Sequence, residues 1–165
     1  IRDDLVTGVQ TCALPILEIV SKYIDITNEE RYTRALFVIL ERVETLIELG
    51  LAFKEGEFSY LEDKIGYDSE LLLWKKEPSK EKTAARLKKV KDLITKLPEL
   101  PTADKTKENL WLYAESEGKG EVLWPLRVAL SGKERSPDPF TLVEVLGKTE
   151  SLKRIEDAIL TLNNA

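Results

Sequence analysis

Histidine and methionine are both missing from the 165 residues, and cysteine occurs once, at Cys12. Without histidine there is no Ser-His-Asp or Cys-His nucleophile pair and no Cys/His zinc cluster. A lone cysteine cannot close an internal disulfide, so a reducing, cytoplasmic setting is expected. No stretch approaches the roughly 18 apolar residues that a membrane span requires. The first residues do not read as a secretory leader, because Arg2-Asp3-Asp4 carries net negative charge and Val6 to Ile16 is interrupted by Gly8, Gln10 and Pro15. A glycine-rich loop of phosphate-binding spacing is also lacking.

What is present fits an ordinary globular chain: 42% hydrophobic and 33% charged residues, enough for one domain or two small subdomains. The net charge of -5 argues against a generic nucleic-acid binder, but that charge is unevenly placed. Asn28 to Glu77 holds 7 Lys/Arg against 12 Asp/Glu, Ser79 to Lys96 holds 7 against 2, and Lys119 to Arg154 holds 7 against 5. A local basic surface on an acidic molecule is therefore expected.

From Asp25 onward the patterning is helical, and the fold class expected is all-α. Thr27-Asn28-Glu29-Glu30 reads as a capping box with Thr27 as the cap. Leu36, Ile39, Leu40, Val43, Leu46 and Ile47 recur at steps of three and four, which predicts one long helix stopping near Gly50. Leu51 to Tyr67 reads as a connection whose Phe53, Phe58 and Tyr60 pack back onto that helix. A short helix over Ser69 to Lys76 follows. Ser79 then caps a second long helix with Ala84, Leu87, Val90, Ile94 and Leu97 on its apolar face and Lys80, Arg86, Lys88, Lys89 and Lys91 on the other.

Pro98-Glu99-Leu100-Pro101 is the clearest internal boundary, since each proline disfavours helical geometry in the residue before it. The expected organisation is a first helical subdomain over 17–97, a linker at 98–101 and a second helical subdomain over 102–165. Helices are expected at about Lys105 to Glu117 and Glu121 to Leu130, then a turn at Ser131 to Asp138 and two helices split by Gly147. Leu152, Ile155, Ile159 and Leu162 form the buried stripe of the last. The stretch "VTGVQTCALPI", Val6 to Ile16, follows neither a helical nor a strand period.

Carboxylates are numerous but read as solvated helix residues, because general acid/base work needs shifted pKa values that composition does not display. The distinctive segment is "KGEVLWPLRVALSGKERSPDPF", Lys119 to Phe140. A proline is best tolerated near a helix start, so Pro125 predicts that Trp124 and Arg127 lie close to a helix N-terminus, where free amides favour a phosphate. Gly132 should end that helix and Ser136-Pro137 should open the next. An aromatic, an arginine and a rigid Ser-Pro turn at one corner are the parts needed to receive unstacked bases of an RNA loop. The bland alternative leaves Trp124 in the core and Arg127 on the surface.

The wording "VLWPLRVALSGKERSPDPF" followed by "VLGKTESLKRIEDAI" resembles the carboxy-terminal anticodon-binding region of bacterial glutamyl-tRNA synthetases, as do "LERVETLIELG" and "ELLLWKK". The resemblance runs from about Ile19 to Leu162. It implies an all-helical region of two subdomains that holds the anticodon arm of the glutamate tRNA, acts as a monomer, and binds neither membrane nor DNA. It further implies that Trp124, Arg127, Ser136, Pro137 and Pro139 contact anticodon bases. Arg42 of "LERVETL" matches the arginine that checks the third anticodon base, which points to a discriminating enzyme. After the Ser-Pro pair the family often carries glycine and a bulky aliphatic residue, whereas Asp138-Pro139 stand here.

The family's catalytic half carries His-Ile-Gly-His-like and Lys-Met-Ser-Lys-Ser-like signatures for ATP, and a chain without histidine or methionine holds neither. No cofactor is therefore expected in this chain, ATP belonging to the catalytic half of the parent class I ligase, and the chain alone is not expected to charge tRNA. Residues 1–16 resemble the conceptual translation of a sequencing adapter, and the expectation is that they are a non-native joint to a truncated coding region. The alternative function is a helical protein-interaction domain docking through Trp111, Tyr113 and Trp124.

Overall fold

The computed structural model describes residues 28–164, together with Glu18 and Ser21. The stretch 1–16 and the expected cap Thr27 lie outside the described residues. Among those described, the regular elements are all helical, with one isolated bridge between Trp74 and Glu77. The all-α expectation holds. The chain forms two compact units, divided after Asp63.

In the first unit, α1 spans Glu29–Leu40 and α2 spans Leu46–Lys54. Asn28 is the observed cap of α1, its side chain accepting from the Arg31 amide at 3.0 Å. The single helix expected to run to Gly50 is interrupted between Leu40 and Leu46. A second start signal inside the apolar stripe causes the break: Thr45 Oγ1 accepts from the Glu48 amide at 3.2 Å while the Glu48 carboxylate accepts from the Thr45 amide at 3.3 Å. This reciprocal box satisfies donors that a new helix start leaves unpaired. Leu36 and Ile39 are buried as expected, but Leu40, Leu46 and Ile47 are exposed, and so are Phe37 and Leu51.

The aromatics do pack together. Phe53 on α2 lies 6.4 Å from Tyr32 on α1 and 4.9 Å from Phe58, which stands 6.4 Å from Tyr60 within the 3-10 turn Ser59–Leu61. Arg31 is buried in this unit, donating through Nη1 to the Leu61 carbonyl at 2.9 Å and to Asp63 at 3.0 Å. Those acceptors offset the cost of taking a guanidinium out of water.

The second unit is built from α3 (Lys80–Thr95), α4 (Ala103–Glu117), α5 (Lys119–Ser131), α6 (Pro139–Leu146) and α7 (Lys148–Asn164). The helix expected over Ser69 to Lys76 is shorter, a 3-10 turn at Ser69–Leu72 capped by Asp68 and followed by the Trp74–Glu77 bridge. Ser79 caps α3 as expected, and Ala84, Leu87, Val90, Ile94 and Leu97 are all buried. Their helix packs along α7, which buries Ile155, Ala158, Ile159 and Leu162, while Leu126, Leu130, Leu142 and Val143 of α5 and α6 are also buried. Leu152, expected in the α7 stripe, is half-buried.

Pro98 to Pro101 turns the chain between α3 and α4 inside this unit instead of separating two. Glu99 is the reason: its carbonyl accepts from the Lys148 amide at 2.9 Å and its carboxylate from the Thr149 amide and hydroxyl at 3.2 and 2.5 Å. Lys148 Nζ also donates to the Leu97 carbonyl at 3.1 Å. These bonds tie the proline corner to the start of α7, so α3 packs along α7 across it. Buried Arg154 adds a second tie, donating to the Leu130 carbonyl at 2.6 Å and to Glu150 at 2.7 Å. It thereby serves one of the carbonyls that the end of α5 leaves without an intrahelical donor.

Candidate nucleic-acid interface

The sequence placed Trp124 and Arg127 near a helix start. Instead α5 begins at Lys119, and Pro125 lies well inside it and is buried. A proline there cannot donate to the Glu121 carbonyl one turn earlier, a cost the surrounding packing overrides. Trp124 and Arg127 therefore stand mid-helix, and the expected help of a helix N-terminus for a phosphate does not apply to them.

What fixes this part of α5 is a pair of indoles. Trp124 Nε1 donates to the Leu71 carbonyl at 2.9 Å, and the Trp74 ring lies 5.5 Å from the Trp124 ring, tilted by 53°. Gly120 makes the approach of Trp74 feasible, since a Cβ there would come within 2.6 Å of the Trp74 ring. Trp124 is thus half-buried with its only donor in use, and the surface it can offer a ligand is ring.

Arg127 differs. Its side chain is half-buried, and its Nε is buried without a hydrogen-bond partner. A buried N–H of a charged group with no acceptor is costly, and a ligand oxygen could relieve that cost only if the side chain shifted to expose Nε. The Arg127 carbonyl is in use, accepting from the Ser131 hydroxyl at 2.8 Å, and that hydroxyl also accepts from the Lys133 amide at 3.2 Å. This local network holds the bend that Gly132 begins. Gly132 sits at φ 71°, in the left-handed region, and its amide donates to the Val128 carbonyl at 2.7 Å, so α5 ends as expected.

The next helix opens later than Ser136-Pro137. Asp138 is the cap of α6, accepting from the Phe140 and Thr141 amides at 3.0 and 3.1 Å and from the Thr141 hydroxyl at 2.6 Å. Pro139 takes the first helical position, where its missing amide costs nothing, and is buried. Asp138-Pro139 is a helix start, a local role that needs no ligand. Ser136 and Pro137 are half-buried in the preceding turn. Trp124, Arg127, Ser136, Pro137 and Pro139 accordingly belong to α5, α6 and their connection within the second unit.

Arg42 belongs to the first unit, in the break between α1 and α2. It is exposed, with Nη1 3.8 Å from a Glu57 carboxylate oxygen, a loose surface pairing that leaves the guanidinium accessible.

The basic run of α3 is only partly free: among the described residues Lys88 and Lys89 are exposed with no ion pair, whereas the other four cations of the helix are paired. Lys80 lies 3.8 Å from Glu70, Lys82 2.5 Å from Glu77, and Arg86 2.7 Å from Glu77 and 3.6 Å from Glu117. Lys91 pairs with Glu156 of α7. Hydrogen bonds from Lys82 and Arg86 hold the Glu77 carboxyl below its usual range. A cluster the sequence did not single out lies on α4 and α5: the Trp111 ring carries Lys119 Nζ at 4.2 Å and Lys107 Nζ at 5.1 Å from its centroid, and lies 6.5 Å from Phe140. The one-turn spacing of Lys107 and Trp111 was its only sequence signal. Among the described residues no group of three or more Cys, Asp or Glu side chains is arranged to hold a metal ion, and no helix is long and apolar enough to cross a membrane.

An aromatic, an arginine and a rigid turn on neighbouring helices of one all-helical unit define a helical module with the side chains an RNA contact uses. Comparison with known families makes that specific. Residues 13–159 match the model of the anticodon binding domain, and the chain belongs to that family. It is similar to the glutamate–tRNA ligase of Clostridium novyi, at 34% identity over 84% of this chain and 29% of that protein. Similarity to glutamate–tRNA ligase 2 of a Chelativorans species is 33% over 94% of this chain and 32% of that one. The chain thus spans about a third of the length of these curated relatives. A crystal structure of a glutamate tRNA ligase from Elizabethkingia meningosepticum superposes with a TM-score of 0.70 over 94% of this chain and 31% of that one, at 24% identity, and shows the same fold.

Proposed function

We propose that this chain holds the anticodon arm of a glutamate tRNA for a glutamate–tRNA ligase. The observation that carries the reading is the partly exposed pair Trp124 and Arg127, three residues apart in mid-helix, in a chain of the anticodon-binding family. In this reading the Arg127 fork takes acceptors on an unstacked anticodon base, the Trp124 ring lies against a base, and the Ser136-Pro137 turn offers edge hydrogen bonds. Pro139 acts indirectly, by fixing the turn through the start of α6. Arg42, on its match to the family's "LERVETL" wording and its exposure, checks the third base. No residue of the chain is assigned to ATP, so activation of glutamate falls to other parts of the ligase.

The protein-docking alternative rests on Trp111, Tyr113 and Trp124, and none of these is a free apolar knob: each is half-buried, Trp111 carries two lysines and Trp124 spends its donor on Leu71. Of the large exposed apolar side chains, Phe37, Leu40, Leu46, Ile47 and Leu51 belong to α1, α2 and their connection, and Leu100, Leu112 and Leu160 stand singly in the second unit. A gel-shift titration of the full chain against glutamate tRNA and against the same tRNA with an exchanged anticodon tests the proposal. Tighter binding of the native anticodon is expected. Equal binding of the two would overturn it.

A further inference from the structure

The Lys107–Trp111–Lys119 cluster has no part in the base contacts proposed above. Lys107 and Trp111 stand one turn apart on α4, and Lys119 is the first residue of α5. Both ammonium groups lie within cation–π range of a single indole, at 5.1 and 4.2 Å from its centroid. Both lysines are exposed. The ring itself is braced by Phe140, second residue of α6 and neighbour of Pro139. The paired cations are therefore attached, through Phe140, to the helix that the Ser136 to Pro139 turn opens.

An exposed lysine ordinarily gives up much side-chain freedom when it grips a ligand. Resting on a common ring removes part of that freedom beforehand and fixes two positive charges together. The carboxylate of Glu115 lies 3.1 Å from Lys119 Nζ, but both partners are about half exposed and such a pairing exchanges readily for a phosphate. On a chain of net charge -5, general attraction to a polyanion is weak, so backbone contacts must come from local cations. Four cations of α3 are held in ion pairs; Lys107 and Lys119 differ from the exposed Lys88 and Lys89 in being presented together on an aromatic support.

We propose that Lys107 and Lys119, held on the Trp111 ring, clamp the phosphate backbone of the RNA strand whose bases meet the Arg127 corner. This rests on the RNA reading of that corner and adds to it a contact that positions without reading sequence.

The test is fluorescence-anisotropy titration, over a range of salt concentrations, of the full chain with two labelled RNA hairpins, one bearing the glutamate anticodon loop and one an exchanged anticodon. The Lys107→Gln/Lys119→Gln double variant should weaken binding of both hairpins by a similar factor, on the order of tenfold. Its plot of log affinity against log salt should flatten by about 1 per lysine, with the ratio between the hairpins kept. Trp111→Leu, which leaves both charges, should weaken both hairpins alike with the salt slope retained. A double variant with wild-type affinity and wild-type salt slope would overturn the clamp while leaving the base-reading proposal standing. Failure of the wild-type chain to bind either hairpin would remove both.

Discussion

The indole N–H of Trp124 donates to the backbone carbonyl of Leu71 at 2.9 Å, joining the middle of α5 to the 3-10 turn before α3. The ring is thereby held in one orientation beside Arg127. Trp124→Phe keeps an aromatic against Trp74 but leaves that carbonyl without its donor, and should cost about 1 kcal/mol of stability. Urea unfolding followed by circular dichroism measures this. A larger loss in RNA binding than in stability would mark the ring face as a ligand contact as well.

Arg127→Ala should separate binding from folding. Its Nε has no hydrogen bond to lose, so removing the half-buried side chain should change the unfolding free energy by no more than about 1 kcal/mol. RNA affinity should fall by about 1 to 3 kcal/mol. Parallel thermal unfolding and titration would show whether the two move apart.

Arg154 should behave in the opposite way. It is 3% exposed and serves both the Leu130 carbonyl and Glu150, so Arg154→Ala strands an acceptor and a carboxylate. A loss of about 3 kcal/mol is expected, seen as a lower urea midpoint at unchanged slope.

Burial raises the Tyr32 and Tyr67 phenols from 10.0 to about 12, and raises Tyr60 further. Between those values the unfolded chain has lost phenolic protons that the native chain keeps, so stability falls as pH rises through that window. The contribution is complete below pH 10 and gone above the folded values. Ultraviolet titration should find these phenols un-ionised in the native chain above pH 10, with the thermal midpoint dropping from there toward pH 12.

Legibility in the sequence followed the range of the forces involved. The α3 face from Ala84 to Leu97 was readable because burial imposes a helical period on apolar residues. The break after Leu40 was signalled too, by Thr45-Leu46-Ile47-Glu48, but an unbroken apolar stripe hid it. Pro125 misplaced the start of α5 because local propensity yields to packing around Trp74 and Leu71. The role of Pro98 to Pro101 depended on bonds from Glu99 to Lys148 and Thr149 some fifty residues on, which no local pattern displays. Of the site, motif wording supplied the residues, and only the fold could show that Trp124 has its donor occupied while Arg127 has a buried Nε without a partner.

The most direct measurement is the ratio of dissociation constants for glutamate tRNA and its anticodon-exchanged counterpart, taken with wild type and with Arg127→Lys, which keeps the charge but not the planar fork. Wild type should prefer the native anticodon by at least about tenfold, and Arg127→Lys should lose most of that preference while still binding both RNAs. A wild-type ratio of one, or a preference untouched by the substitution, would contradict the account.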